Sequence, residues 1–168
     1  MTRVDDYRTK AAALLRNPDD PASLLEMFAL LLQNGDEAHS ADWLPLAKRA
    51  RENAHECVDT VFNYGTALAR AGRFHEALDE YRLALRIAPP DWKVRILNHL
   101  GIVSRTVGKP EEAIRWHKKA LSIDPDNIDI KQDLAIATLA VGRLNEGLQL
   151  HEVRRAISKR KRKAGAKP

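Results

Sequence analysis

The stretch NYGTALARAGRFHEALDEYRLALRIAPP, residues 63–90, decides the fold, because it returns twice downstream. NHLGIVSRTVGKPEEAIRWHKKALSIDPD follows from residue 98 and DLAIATLAVGRLNEGLQLHEVRRA from residue 133. A small residue opens each copy (Gly65, Gly101, Ala135), and a glycine stands seven residues later (Gly72, Gly108, Gly142). Five beyond that comes a second small residue (Ala77, Ala113, Gly147). The first two copies also share Ala84 and Ala120, and they close on Pro89 and Pro125. The copies are 36 and then 34 residues apart, a period that signals a repeat architecture.

Each mark has a physical reason. Gly65 and Ala77 let two antiparallel helices approach closely. Gly72, Gly108 and Gly142 suit the left-handed conformation that ends a helix and turns the chain. Pro110 fits the first turn of a helix, where its missing N–H is no loss. Ala84 and Ala120 leave room for the next pair to stack, and Pro89 and Pro125 stop the second helix. Between the marks, apolar residues keep helical spacing: Val61, Tyr64, Leu68 and Ala71, then Phe74, Leu78, Tyr81 and Leu85. A single helix pair cannot bury its apolar face, so stacked pairs must share one core.

This pattern resembles the tetratricopeptide repeat family, on the small residue, the glycine turn, Phe74, Ala77, Tyr81, Ala84 and Pro89. The resemblance implies an all-α, right-handed superhelical solenoid of antiparallel helix pairs. It has about four repeats: an irregular one over 21–57, then 58–93, 94–127 and 128–157, with a basic tail over 158–168. In the irregular repeat, Leu24, Met27, Phe28 and Leu31 line one helix ended by Gly35. Leu44, Leu46, Ala47 and Ala50 line the next, with Ser40 or Asp42 as cap and Pro45 in its first turn. Residues 3–16 read as an N-terminal cap helix.

Composition supports the fold and narrows the function. Aromatics are 5% of the chain and Ala and Leu dominate its apolar content, which favours helix over sheet. The lone Cys57 offers no intramolecular disulfide and suits a reducing compartment. Two early aspartates interrupt any secretory apolar run, so the chain reads as cytoplasmic. Of its 28 Lys and Arg, eight fall in residues 154–168, which hold no acid. The remainder sets 20 basic against 23 acidic residues, so a net charge of +5 conceals a mildly acidic body. The tail's clustered cations only weakly suggest nucleic acid or anionic membrane, since no aromatic is interleaved to stack a base.

No phosphate loop, nucleophile elbow or paired-carboxylate site is present, and the chain reads as a non-enzyme without cofactor. His55-Glu56, His75-Glu76 and His151-Glu152 recur, but no two histidines share a face at metal spacing, so no metal site is expected. Trp43, Trp92 and Trp116 are read as covers of inter-repeat seams, with Trp92 alternatively an exposed anchor for a partner.

The family resemblance implies a concave face, made by the first helix of each pair, that binds a peptide or protein segment. Helical spacing selects its candidates: Asn63, Thr66 and Arg70; Arg95, Asn98, His99, Ile102 and Arg105; Asp129, Gln132, Asp133 and Ile136. Arg offers bidentate bonds to carboxylates, and Asn can hold a peptide backbone on both edges. These residues suit an extended, partly acidic segment. Asn63, Arg95 and His99 resemble parts of the clamp by which some family members hold a chaperone's terminal carboxylate. Leu25 and Ala29 depart from that clamp and speak against it.

The expected function is therefore an interaction scaffold or adaptor, with self-association through the solenoid ends a further option. A different class remains open: residues 142–155 are loosely similar to the repeat that precedes bacterial glycosyltransferase domains, a resemblance that implies the non-catalytic arm of a larger enzyme. Far-UV circular dichroism is expected to report helix; a substantial sheet component would contradict the repeat reading.

Overall fold

The computed structural model describes residues 17, 19–24, 26, 40–54, 56–150 and 152. The expected cap helix over 3–16, the first helix of the irregular repeat beyond Glu26 and the basic tail lie outside them. Among the described residues every regular element is helical. Six helices are bounded: α1 (Ser40–Asn53), α2 (Val58–Arg70), α3 (Phe74–Ile87), α4 (Pro90–Thr106), α5 (Pro110–Ile123) and α6 (Ile128–Ala140). Residues 144–150 are helical as well. The chain divides into two compact units, Met1–Ile87 and Ala88–Pro168.

In the first unit, α2 packs on both α1 and α3. Ala47 and Ala67 meet where α1 and α2 touch, with Leu44 and Tyr64 beside them. Thr60 is buried and closes the entry to α2, donating to Ala54 O at 2.6 Å and Cys57 O at 2.9 Å. Pro45 stands inside α1 rather than in its first turn. The helix starts earlier than its apolar pattern shows, and one backbone donor is missing from its ladder. Ala71, placed by its spacing in the apolar stripe, is instead the exposed C-cap of α2.

In the second unit, α5 packs on α4 and α6, which also touch each other. Ala113 and Ile114 of α5 bury against Leu134 and Ala137 of α6, flanked by Leu121, Val141 and Leu150. The two-residue insertion at Pro90-Asp91 adds no loop. Pro90 occupies the first position of α4, which runs 17 residues against 13 for α2 and α6.

The three glycine turns are built alike. Gly72, Gly108 and Gly142 have φ of 76°, 78° and 77°. In each, the amide after the glycine reaches back to the same helical position: Arg73 N to Leu68 O at 2.9 Å, Lys109 N to Ser104 O at 2.9 Å, Arg143 N to Thr138 O at 3.2 Å. This six-to-one bond is the Schellman motif, which satisfies carbonyls that a helix end leaves open. Pro110 takes the first position of α5, and Asn127 caps α6 by accepting from Ile130 N at 3.2 Å.

The helices of the first pair approach closely at Gly65 and Ala77 as expected, and the group that fills the space beside the glycine is Tyr81. A Cβ on Gly65 would lie 3.0 Å from the Tyr81 ring and 3.3 Å from Glu80. One on Gly101 would lie 2.5 Å from Nε2 and 2.7 Å from Nδ1 of His117. One on Gly147 would lie 2.7 Å from the Leu139 side chain, which explains why this copy carries glycine in place of alanine. Each small residue therefore clears space for a large side chain of the facing helix, while Ala77 and Ala113 are buried beside it.

Two substitutions separate the glycine roles. Gly108→Ala meets nothing within 4 Å, so its expected loss of about 1–2 kcal/mol is the backbone cost of φ > 0 alone. Gly101→Ala gains about 1 kcal/mol of helix propensity but overpacks against His117, for a net loss of about 1–2 kcal/mol. Denaturant titration of both variants measures these losses; a Gly101→Ala as stable as the parent would refute the packing account.

Candidate functional site

In the first unit the candidate residues sit on α2. Asn63 is half-buried. Thr66 is drawn into the helix pair: its hydroxyl donates to Phe62 O at 3.0 Å and accepts from Tyr81 Oη at 3.1 Å. Tyr81 is fully buried, with its ring centroid 5.5 Å from that of Phe62, and burial pushes its phenol up to about 12. Thr66 thus braces the core before it can serve a ligand. Arg70 is exposed at the end of α2, and its charge reaches Tyr81.

The second unit holds the larger set, on the touching helices α4 and α6. Arg95 is exposed, and its guanidinium lies 5.0 Å from the centre of the Trp92 ring. That stack fixes both groups at the extended start of α4, so half-buried Trp92 works with Arg95 and is not a free anchor. Burial, and then the Arg95 charge, push His99 down from 6.5 to about 4, so its imidazole is neutral at pH 7. The face is accordingly less cationic than its histidine and arginines imply.

Further along, Asn98, Arg105 and Asp133 come together. The Asn98 amide donates to the Asp133 carboxylate, and Arg105 lies within electrostatic reach of it. Burial raises Asp133 above the usual carboxylate range, against the opposing pull of Asn98 and Arg105 and with the aid of Asp129. Asn98 Oδ1 and Arg105 Nε are both buried without a hydrogen-bond partner among the described residues. An acceptor and a donor are therefore left in a partly desolvated setting, where a hydrogen bond is worth more than in water. Gln132 and Ile102 are half-buried alongside, Asp129 is exposed, and Ile136 is 38% exposed. Spacing alone placed these residues on one stripe. That Asn98 would be tied to Asp133 on another helix carried no sequence signal.

Elsewhere, Trp116 donates to Glu112 Oε1 at 3.3 Å, and Lys119 lies 4.8 Å from the centre of its ring. Cys57 is a half-buried N-cap of α2. No group of three His, Cys, Asp or Glu among the described residues is arranged to hold a metal. No helix among them is long and apolar enough to cross a membrane.

Residues 56–126 match the family model described as tetratricopeptide repeat. A curated relative, the probable biofilm formation methyltransferase WspC of Pseudomonas putida, is 31% identical over 112 residues. That match takes in 65% of this chain but only 26% of the relative. The crystal structure of MamA superposes with a TM-score of 0.78 at 19% identity, covering 94% of this chain and 89% of that one. YrrB, described as a TPR protein with an unusual peptide-binding site, gives 0.67 at 17% identity, covering 86% and 72%.

Asp133 supplies a test of the polar cluster. Its raised folded value means the folded state favours the protonated acid, so its contribution to stability is present at low pH and lost as pH rises through the folded value. Asp133→Asn is expected to melt higher than the parent at pH 7, with the difference shrinking on acidification into the carboxylate range. A melting temperature lowered at pH 7 would show that the carboxylate's bonds outweigh its desolvation.

Proposed function

Because this chain belongs to the tetratricopeptide repeat family, we propose that it is a non-catalytic interaction scaffold that holds an extended protein segment against the α4–α6 face. One observation carries the reading: Asn98 and Arg105, which share this face with exposed Arg95, each keep a buried hydrogen-bonding atom without a partner among the described residues. A peptide is a source of both partners. Both side chains are only half-buried, so a rotamer shift brings these atoms to a peptide, whose backbone N–H answers Asn98 Oδ1 and whose carbonyl or carboxylate answers Arg105 Nε. Arg95 at one end favours an acidic residue there, whereas Asp129 and Asp133 at the other disfavour one. Gln132, Ile102 and Ile136 supply polar and apolar contact between them, and neutral His99 adds a hydrogen bond without charge. Asn63, Thr66 and Arg70 are a separate polar set on α2, of which Arg70 is the exposed member. YrrB's peptide-binding site lends support by analogy of fold.

The curated relative suggests where such a scaffold sits. This chain corresponds to about a quarter of WspC, so a repeat arm serving a larger enzyme is consistent with the same binding role. The glycosyltransferase resemblance of residues 142–155 finds no support, since the relative that bears an enzyme name is a methyltransferase.

A second reading, self-association through the end of the second unit, is favoured by Leu144 and Leu148, which are 61% and 57% exposed. Ile114 holds the position of Leu148 in the preceding helix pair, and there α6 buries it to 5% exposure. An unmatched stacking face of this kind suits a further helix.

Selection from a displayed library of extended peptides tests the first reading. Binders enriched in one acidic position are expected, with retention reduced at least about 10-fold by Arg95→Glu, the loss of a charge-assisted bond. Arg82→Glu on α3 should leave it unchanged. Equal retention by Arg95→Glu would refute the assignment. Multi-angle light scattering tests the second reading: a dimer converted to monomer by Leu148→Glu supports it, and a monomeric parent refutes it.

A further inference from the structure

The centre of α5 carries a residue at odds with its surroundings. In the first unit the corresponding residue is Tyr81, whose ring fills the space beside Gly65 and whose hydroxyl bonds Thr66. In the second unit, 36 residues on, His117 takes that place beside Gly101, and Ile102 stands where Thr66 stood. The polar side chain has been kept while its polar partner has been replaced by a hydrocarbon. His117 is 0% exposed, and neither ring nitrogen has a hydrogen-bond partner among the described residues. Ser104, one turn along α4 from Gly101, is also fully buried with its hydroxyl unanswered.

A neutral imidazole in such a slot already forfeits the hydrogen bonds it makes in water, and an imidazolium would forfeit far more. The charges on the surrounding helices do not relieve this. On α4, Arg105 acts on His117 with the same sign as its proton, while Arg95 lies beside His99. On α6, Asp133 is taken up by Asn98 and faces Arg105, and Asp129 acts on Asp133. On α5 itself, Lys118 bonds Glu146 of the 144–150 segment at 3.1 Å and Glu112 accepts from Trp116. The ring lies close against Gly101 and is fully enclosed, so none of these acids is at hand while the pair stays closed.

We propose that the α4–α5 helix pair is an acid-sensitive element: protonation of His117 opens it in mild acid, while the α2–α3 pair, with Tyr81 in the same position, stays closed. The inference does not depend on what the α4–α6 face binds. Burial, and then Arg105, hold the His117 imidazole down at about 4 against its ordinary 6.5. A base with a depressed folded value is stabilising above its unfolded value, and that stability is lost as pH falls from 6.5 towards 4. His99, also held at about 4, adds in the same direction. Asp133, raised by burial, acts with the opposite sign, and Asp133→Asn removes its share from the comparison.

Hydrogen exchange read by mass spectrometry on the intact protein, at pH 7.5 and pH 5 and corrected for the intrinsic rate, tests the proposal. The opening constant of peptides within 97–121 is expected to rise by roughly thirty-fold from His117 alone, with peptides within 61–84 unchanged. His117→Phe, which fills the slot without a titrating group, is expected to remove that share. Unchanged protection of 97–121 in the parent between the two pH values would overturn the proposal. So would a His117→Phe whose opening constant rises between the two pH values by as much as the parent's. Should His117→Phe fail to fold at pH 7.5, the parent's own His117 resonance decides by NMR. A ring that stays neutral to pH 5 in the folded protein supports the proposal, and one that titrates near 6.5 while folded overturns it.

Discussion

The structure depends on the distance at which two helices of one pair can face each other. That distance is set where a residue without a side chain meets a large one: Gly65 against the Tyr81 ring, Gly101 against His117, Gly147 against Leu139. Interiors pack at crystal-like density, so the missing Cβ and the bulky partner are one design and neither can change alone. The alanines beside them, Ala77 and Ala113, are fully buried because the approach leaves room for nothing larger. The Schellman turns at Gly72, Gly108 and Gly142 follow, since a pair held this close must reverse the chain within two or three residues.

Once the pairs are closed, the rest of the surface is free to vary. The outer helices carry exposed ion pairs such as Arg73–Glu76 and Arg82–Asp79, whose energetic weight is small. Arg51–Glu80, with side chains 18% and 22% exposed, is the more enclosed exception. The first helices carry the polar stripe instead. On α4 and α6 it becomes a connected cluster of Asn98, Asp133 and Arg105 that is only partly satisfied from within.

The two helix pairs also show how one framework accepts different interiors. Tyr81 and His117 fill equivalent slots, yet Tyr81 bonds Thr66 while neither His117 nitrogen has a hydrogen-bond partner among the described residues. Stability in a repeat protein is close to a sum of local terms, so a weakness in one pair need not spread to another. The two units can therefore differ in their response to pH while sharing a fold.

Residues 63–90 and their two echoes determined, before any coordinates, that the chain forms helix pairs, where each turns and which residues are small. These features are local: a glycine at a helix end and a proline at a helix start act through the backbone beside them. The stripe of candidate site residues was legible for the same reason, being a matter of spacing along single helices. What only the tertiary structure decided was which side chains meet. It paired Gly65 with Tyr81, tied Thr66 to that tyrosine, stacked Arg95 on Trp92, joined Asn98 to Asp133 and left the His117 nitrogens without a hydrogen-bond partner among the described residues. Periodicity says which face a residue occupies, but the group opposite it belongs to another helix, and only packing brings the two together.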